Sequence, residues 1–155
     1  MEKPMQTPSI VVYIIVALCV GIAFSGESRE GIRLGQHEKM LKPCPSSPNC
    51  VSSQTNAMKH RMEPIPFAGP IELAQARLRE VIQAIPRSKI TEEEPGYLAV
   101  SCRSRIFGFI DEAEFSLHEN TSLVHFRSGA CSGYYDFGVN RSRMLRIAES
   151  FREAR

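Results

Sequence analysis

The sequence predicts an α+β fold, in which an antiparallel sheet of about four or more strands carries two helices packed on one face. Three observations support this prediction. Apolar residues recur at helical spacing in one central and one C-terminal segment. Between them lie strand-like segments, separated in pairs by short turn sequences. In the last two of these segments apolar and polar residues alternate, as they do in strands with one buried face.

The first 25 residues predict export. Residues 10–24 form an apolar run (IVVYIIVALCVGIAF) that follows Lys3. This run suits the core of a signal peptide better than a bilayer span, which needs about 20 residues. Ala23 and Ser25 supply the small residues of a cleavage site, although the charge before the run is slight. We expect residues 1–25 to be a signal peptide or an N-terminal membrane anchor, and the protein to reach the periplasm or the periplasmic face of the inner membrane.

The rest of the chain has the composition of a tether and one small domain. Residues 26–40 are polar and contain glycine, which predicts a tether, and residues 41–155 predict a single domain. The formal net charge is only +2, and the two signs of charge are interspersed. A nucleic-acid-binding protein would show a basic stripe, so no nucleic-acid partner is expected. Membrane proximity is expected through the N-terminal segment.

Four cysteines remain once Cys19 of the leader is set aside. In an oxidising compartment an even number favours disulfides. Cys44 and Cys50 bracket a short Pro-Ser-Ser-Pro-Asn loop, and a bridge across it would contribute about 2 kcal/mol. The C-x5-C spacing without a second pair does not fit a zinc finger, so no metal site is predicted.

The first helix is predicted to begin at Pro70 and to end before Pro86. Its apolar positions are Ile71, Ala74, Leu78, Val81, Ile82 and Ile85. The segment 41–54 before it is rich in proline, serine and cysteine and is predicted to be irregular. Further prolines keep the chain extended between that segment and the helix.

The predicted strands follow as two hairpins, 89–93 with 97–103 and 111–117 with 123–127. Pro95 and Gly96 favour the first turn, and residues 118–121 form the second. The last helix is predicted from Arg141, with Asn140 as its N-cap. Its apolar stripe comprises Met144, Leu145, Ala148 and Phe151, and its remaining surface is basic through Arg141, Arg143, Arg146, Arg152 and Arg155. That surface predicts a solvated face or, alternatively, contact with an anionic partner or membrane surface.

Three segments, in order, resemble the DUF1499 family of uncharacterised proteins. They are residues 41–53 (LKPCPSSPNCVSS), residues 107–115 (FGFIDEAEF) and Arg127-Ser128 with residues 133–141 (GYYDFGVNR). The resemblance spans the whole predicted domain. It implies an exported or membrane-associated protein whose activity is unknown. The chain departs from the family pattern at Glu112, where aspartate is usual, and at Ala130-Cys131, where Ser-Arg is usual.

Cys102 is a further departure, and with Cys131 it suggests a second disulfide. Strand phase opposes this pairing, because Cys102 shares a face with Val100 whereas Cys131 is in phase with Arg127. A bulge at Gly129 would reconcile the two.

Candidate site residues come from the family-like motifs, since no catalytic sequence motif is present. Asp111 is in phase with the apolar positions of its strand and is predicted to point inward, with Arg103, Arg105 or Arg127 as its partner. The first interpretation is that Asp111 forms a structural ion pair, and the alternative is that it acts as a general acid or base. Asp136 and Asn140 are predicted to stabilise a turn and a helix start. Alternatively they line a polar pocket; the predicted ligand-binding residues are Arg127, Tyr134, Asp136, Asn140 and Arg141, with Tyr135 in the wall.

The sequence thus predicts a non-enzymatic binding or assembly module for a small ligand, a lipid or an envelope protein, without a cofactor. The alternative is a small hydrolase-like enzyme using Asp111, Asp136 and Arg127 around a polar cleft. That alternative requires these residues to lie within one substrate's reach.

Overall fold

The computed structural model describes residues 40–105 and 107–154. The predicted leader, and all of the predicted tether except Met40, therefore lie outside the described residues. The elements are β1 (Cys50–Ser52), β2 (Ile65–Pro66), α1 (Ile71–Gln83), β3 (Ser88–Glu94), β4 (Tyr97–Arg103), β5 (Ile110–His118), β6 (Leu123–Ala130) and α2 (Val139–Glu153). Among these elements, no helix is long and apolar enough to span a bilayer.

The strands form one six-stranded antiparallel sheet in the order β1-β6-β5-β4-β3, with β2 also paired to β6. The predicted α+β class is confirmed. The prediction that segment 41–54 is irregular is wrong for β1, where Cys50 pairs with Gly129. The approach is close there, since a Cβ on Gly129 would lie 3.3 Å from the Cys50 Sγ. Three paired residues are too few to leave a periodic signal in the sequence.

One apolar core connects the helices with alternate residues of the central strands. From the sheet it contains Leu98, Val100, Ala113, Phe115, Leu117, Val124 and Phe126. From the helices it contains Ala74, Leu78, Val81, Ile82, Met144, Ile147, Ala148 and Phe151. Leu145, which was predicted to belong to the apolar stripe of the last helix, is exposed instead.

Both helices begin differently from the sequence prediction. Pro70 has extended backbone angles and is the N-cap of α1, not its first residue. Helix α2 begins at Val139 after Gly138, whose φ of 75° lies in the left-handed region that glycine favours. Asn140 therefore lies inside the first turn and is fully buried. The cap is supplied by Asp136, whose carboxylate accepts hydrogen bonds from the backbone N–H groups of Gly138 and Asn140.

The predicted Cys44–Cys50 disulfide is confirmed, with a Cα–Cα distance of 5.7 Å. Cys102 and Cys131 are both free, so the second bridge is absent. The phase argument explains why: Cys102 belongs to the apolar core, and β5 and β6 pair without a bulge at Gly129. The register shift lies instead between Ile90 and Glu92 of β3.

Replacing Cys44 with alanine is expected to lower the free energy of unfolding by about 2 kcal/mol, because the unfolded chain gains loop entropy. Urea unfolding monitored by circular dichroism measures this difference. Ser46→Ala, in the same loop, is the matched control. An equal stability of Cys44→Ala and the wild type in non-reducing buffer would contradict the prediction.

Candidate functional site

A cavity of about 490 Å³ lies at the end of the sheet where β4 and β6 end and β3 and β5 begin. The loops after β4 and β6 and the first turns of α2 complete it. Its apolar walls are Ile85, Pro86, Phe107, Phe109, Tyr135, Phe137 and Val139. Aromatic rings pair on each loop, at centroid distances of 5.7 Å for Phe107–Phe109 and 5.2 Å for Tyr135–Phe137. Its size and apolar lining are typical of a small-molecule site.

A buried ion pair lines the cavity. The Arg143 Nη2 of α2 lies 2.6 Å from the Asp111 Oδ2 of β5, and both side chains are only 7% exposed. Arg143 Nη1 also donates to the Asn140 Oδ1 at 2.9 Å. Asp111 points inward, but its partner is Arg143 of α2 and not Arg103, Arg105 or Arg127, which were the predicted partners. Arg143 was predicted to belong to the solvated basic surface, but it lies one turn after Asn140 and faces the sheet.

Asp136 and Asn140 are held together at the start of α2. The Asn140 amide donates to the Asp136 Oδ2 at 2.9 Å, and its Oδ1 accepts a hydrogen bond from the Ser128 hydroxyl at 2.6 Å. Asp136 also lines the cavity. Both carboxylates of the cavity are therefore engaged by protein donors.

Four further arginines line the cavity and are exposed: Arg87, Arg103, Arg105 and Arg146. Within residues 40–105 and 107–154, no salt bridge holds any of them. Arg143 balances Asp111, and the four remaining guanidinium groups outnumber the Asp136 carboxylate, so the cavity mouth is electropositive. Guanidinium groups bind carboxylates and phosphates in a planar, two-pronged geometry.

The remaining predicted ligand-binding residues are not assembled around this cavity. Tyr134 is 72% exposed beside it and does not contribute to its lining, whereas Tyr135 does. Arg141 lines a smaller cavity of about 220 Å³ with Lys59 and Asp136. Its guanidinium donates to the backbone carbonyls of Lys59 and Arg61 and so ties α2 to the segment after β1.

A family model, described as a protein of unknown function (DUF1499), matches residues 40–151. The chain belongs to the DUF1499 family. The match covers every strand and most of α2, and it confirms the resemblance of the three sequence motifs. No curated protein matches the chain. Since the family has no assigned activity, the function of this DUF1499 domain has to be argued from its site.

Arg127 lies on the other face of the sheet of the DUF1499 domain. It pairs in register with Glu114 of β5, which is out of phase with Asp111. Its side chain is 1% exposed, and none of its three nitrogens has a hydrogen-bond partner among the described residues. The predicted pocket of Arg127 with Asp136 and Asn140 is therefore not formed, and Arg127 and Asp111 face opposite sides of the sheet.

The surroundings of Arg127 are acidic and buried. Tyr97 donates its hydroxyl to the Glu114 Oε1 at 2.7 Å, while the Oε2 is unpartnered in the described part of the chain. Burial raises the pKa of Glu114 to about 7, although Tyr97 and Arg127 favour the ionised form. Burial also disfavours the charged form of Arg127 and therefore lowers the pKa of its guanidinium group.

Cys131 is not poised as a nucleophile. Burial, together with the neighbouring Glu112 carboxylate, raises the pKa of the Cys131 thiol to about 12. The thiol is therefore protonated at neutral pH, whereas reactive cysteines have lowered pKa values. Nor do the described residues contain a group of three or more histidine, cysteine or acidic side chains placed to hold a metal ion.

Among the apolar walls of the cavity, only Tyr135 was predicted from the sequence to be a site residue. Phe107, Phe109 and Phe137 were part of the family-like motifs only, Arg146 was predicted to lie on the basic surface of the last helix, and Arg87 was not predicted to have a role. The usable signal was the occurrence of aromatic residues beside glycine in two loops (FGF and YYDFG), since loops on a rigid sheet often carry binding residues.

Proposed function

We propose that this protein is a non-enzymatic binding module for a small amphipathic anion, meaning an apolar chain that ends in a carboxylate or a phosphate. The observation that carries the proposal is the combination, in one cavity, of aromatic walls with four arginines that no described residue pairs. An apolar ligand alone would leave these arginines unused, and a small inorganic anion would leave the apolar walls exposed.

The volume of the cavity supports a ligand of this class. About 490 Å³ lies within the range of about 300–1,000 Å³ that is common for small-molecule sites. Each methylene of an alkyl chain that leaves water contributes about 0.8 kcal/mol. The charge at the mouth then fixes the orientation of the chain, with the anionic group outward against the arginines.

The hydrolase-like alternative has less support. Asp111 is bound to Arg143, and Asp136 is bound to the start of α2, so neither carboxylate is free to transfer a proton to a ligand in this arrangement. Arg127, the third residue of that hypothesis, faces the other side of the sheet. This distribution favours binding over catalysis.

The proposal keeps two further predictions from the sequence. We place both helices on one face of the sheet, because residues of α1 and α2 share a single core with alternate residues of β4, β5 and β6. We also place the domain in the periplasm or at the periplasmic face of the inner membrane, on the strength of the apolar N-terminal segment.

Dodecyl phosphate, kept below its micelle concentration, is expected to bind the purified protein with a dissociation constant of about 1–10 μM, measured by isothermal titration calorimetry. Dodecanol has the alkyl chain without the anionic group, and inorganic phosphate has the anionic group without the chain. Each is expected to bind at least about tenfold more weakly than dodecyl phosphate. Equal binding of dodecanol and dodecyl phosphate would contradict an anion site. No binding of any of the three would contradict the cavity as the site.

Replacing Arg103 or Arg146 with glutamine is expected to weaken binding of dodecyl phosphate about tenfold, because each change removes a charge-assisted hydrogen bond. The same titration measures the loss, and dodecanol binding is expected to stay unchanged. Arg152→Gln is the matched control, since Arg152 is an exposed arginine of α2 that does not line the cavity. An equal loss in all three variants would show a general charge effect and contradict the assignment.

A further inference from the structure

Two neighbouring loops of the domain expose aromatic side chains at the mouth of the cavity. In the first loop (residues 107–109), Phe107 is 76% exposed and Phe109 is 57% exposed. In the second (residues 134–137), the exposed fractions are 72% for Tyr134, 60% for Tyr135 and 89% for Phe137. We refer to these residues as the aromatic loops. Isolated exposed apolar residues are ordinary, but a cluster of this size marks an interaction surface.

The chemistry beside the aromatic loops narrows the choice of partner. Phe107, Phe109, Tyr135 and Phe137 line the same cavity as Arg87, Arg103, Arg105 and Arg146. Aromatic side chains favour the interface between lipid headgroups and acyl chains, where one part of the ring is in contact with apolar groups and the other with water. Arginines next to them are attracted by anionic headgroups.

We propose that the aromatic loops insert into the headgroup region of a bilayer that contains anionic lipids, so that the cavity opens against the membrane. An anionic bilayer offers apolar chains and negative charge at neighbouring depths along its whole surface. The rings and the unpaired arginines can therefore be satisfied at the same time. A protein partner would have to supply pockets for the rings and acidic groups around them. This inference goes beyond ligand binding, because it rests on the exposure of the loops and not on what fills the cavity.

Tryptophan fluorescence tests the insertion directly, because the chain contains no tryptophan. Phe107→Trp and Phe137→Trp each place a single reporter in an aromatic loop and preserve its aromatic character. Leu73→Trp, on the exposed side of α1, is the matched control, since Leu73 is 64% exposed. The full chain is mixed with vesicles of phosphatidylcholine, with or without phosphatidylglycerol, whose acyl chains carry bromine as a short-range quencher.

Both loop reporters are expected to lose about half of their fluorescence in vesicles with phosphatidylglycerol and markedly less without it, whereas the Leu73 reporter keeps its fluorescence. Adding Arg105→Gln to Phe137→Trp is expected to reduce the ratio of inserted to free loops about fivefold. Adding Arg152→Gln instead is expected to leave that ratio unchanged.

Three outcomes would overturn the inference. Unquenched loop reporters would do so, and would favour a protein partner for the aromatic loops. Equal quenching at Leu73 would show that the N-terminal segment alone brings the chain to the vesicle. Quenching that does not depend on phosphatidylglycerol would show that attraction between the arginines and anionic headgroups is not involved. Dodecyl phosphate binding without loop quenching would overturn this inference and leave the proposed function intact.

Discussion

Replacing Asp111 with alanine will lower the free energy of unfolding by about 3–5 kcal/mol. The change leaves the Arg143 guanidinium, which is only 7% exposed, without its carboxylate. An uncompensated charge in such a place is far more costly than the loss of an exposed ion pair. Urea unfolding at neutral pH, followed by circular dichroism, measures the difference.

Two matched variants separate charge burial from the loss of a contact. Arg79→Ala breaks the solvent-exposed ion pair of α1 with Glu93 and is expected to cost far less than Asp111→Ala. The double variant Asp111→Leu with Arg143→Met removes both buried charges and is expected to recover most of the lost stability. A double variant no more stable than Asp111→Ala would contradict this account, as would an Asp111→Ala cost below about 1 kcal/mol.

Replacing Glu114 with glutamine will remove a pH-dependent loss of stability that the wild type shows. Burial raises the pKa of Glu114 from 4.5 to about 7 in the folded protein, so ionisation opposes folding. Below pH 4.5 the carboxyl group of the wild type is neutral in the folded and in the unfolded protein, and the stability is at its full value. As the pH rises to about 7, the free energy of unfolding of the wild type falls by about 3 kcal/mol. Above that pH the loss is constant. Glutamine cannot ionise and still can accept the hydrogen bond from Tyr97.

The measurement is the difference in unfolding free energy between Glu114→Gln and the wild type, from urea unfolding at intervals between about pH 4 and 8. This difference is expected to move in favour of the variant by about 3 kcal/mol across that range. Glu119→Gln, in the exposed turn between β5 and β6, is the control for removal of one carboxylate. A difference for Glu114→Gln that is flat with pH, or that falls as pH rises, would contradict the buried carboxyl.

Local patterns in the sequence predicted much of the sheet. The alternation in β5 and β6 placed Phe115, Leu117 and Phe126 in the core. The phase of Cys102 in β4 and of Cys131 after β6 predicted that the two cysteines lie on different faces, and both are free. The same phase rule separates Arg127 from Asp111, although Arg127 was considered as a partner for that carboxylate. The ends of the helices were less predictable, because the cap of α2 comes from Asp136, four residues before Asn140 in the chain.

The ion pair and the cavity could not be predicted from local sequence patterns, because both are formed by residues that are distant in the chain. Helical spacing places Arg143 on the buried face, one turn after Asn140 and one turn before Ile147, whereas Arg146 is out of this phase and is exposed at the cavity. The carboxylate that Arg143 meets, Asp111 of β5, is set by tertiary packing and leaves no signal in the local sequence. The aromatic loops were visible as motifs, but their joint exposure follows from the antiparallel order that brings the ends of β4 and β6 together.

Photo-crosslinking tests the central claim most directly. The protein is irradiated with an alkyl phosphate whose chain carries a diazirine, digested and mapped by mass spectrometry. The cavity site predicts that labels concentrate on the peptides that contain Phe107, Phe109, Tyr135 and Phe137, and that excess dodecyl phosphate removes them. Labels spread over the exposed surface, or labels that resist competition, would contradict the claim that this cavity binds an amphipathic anion.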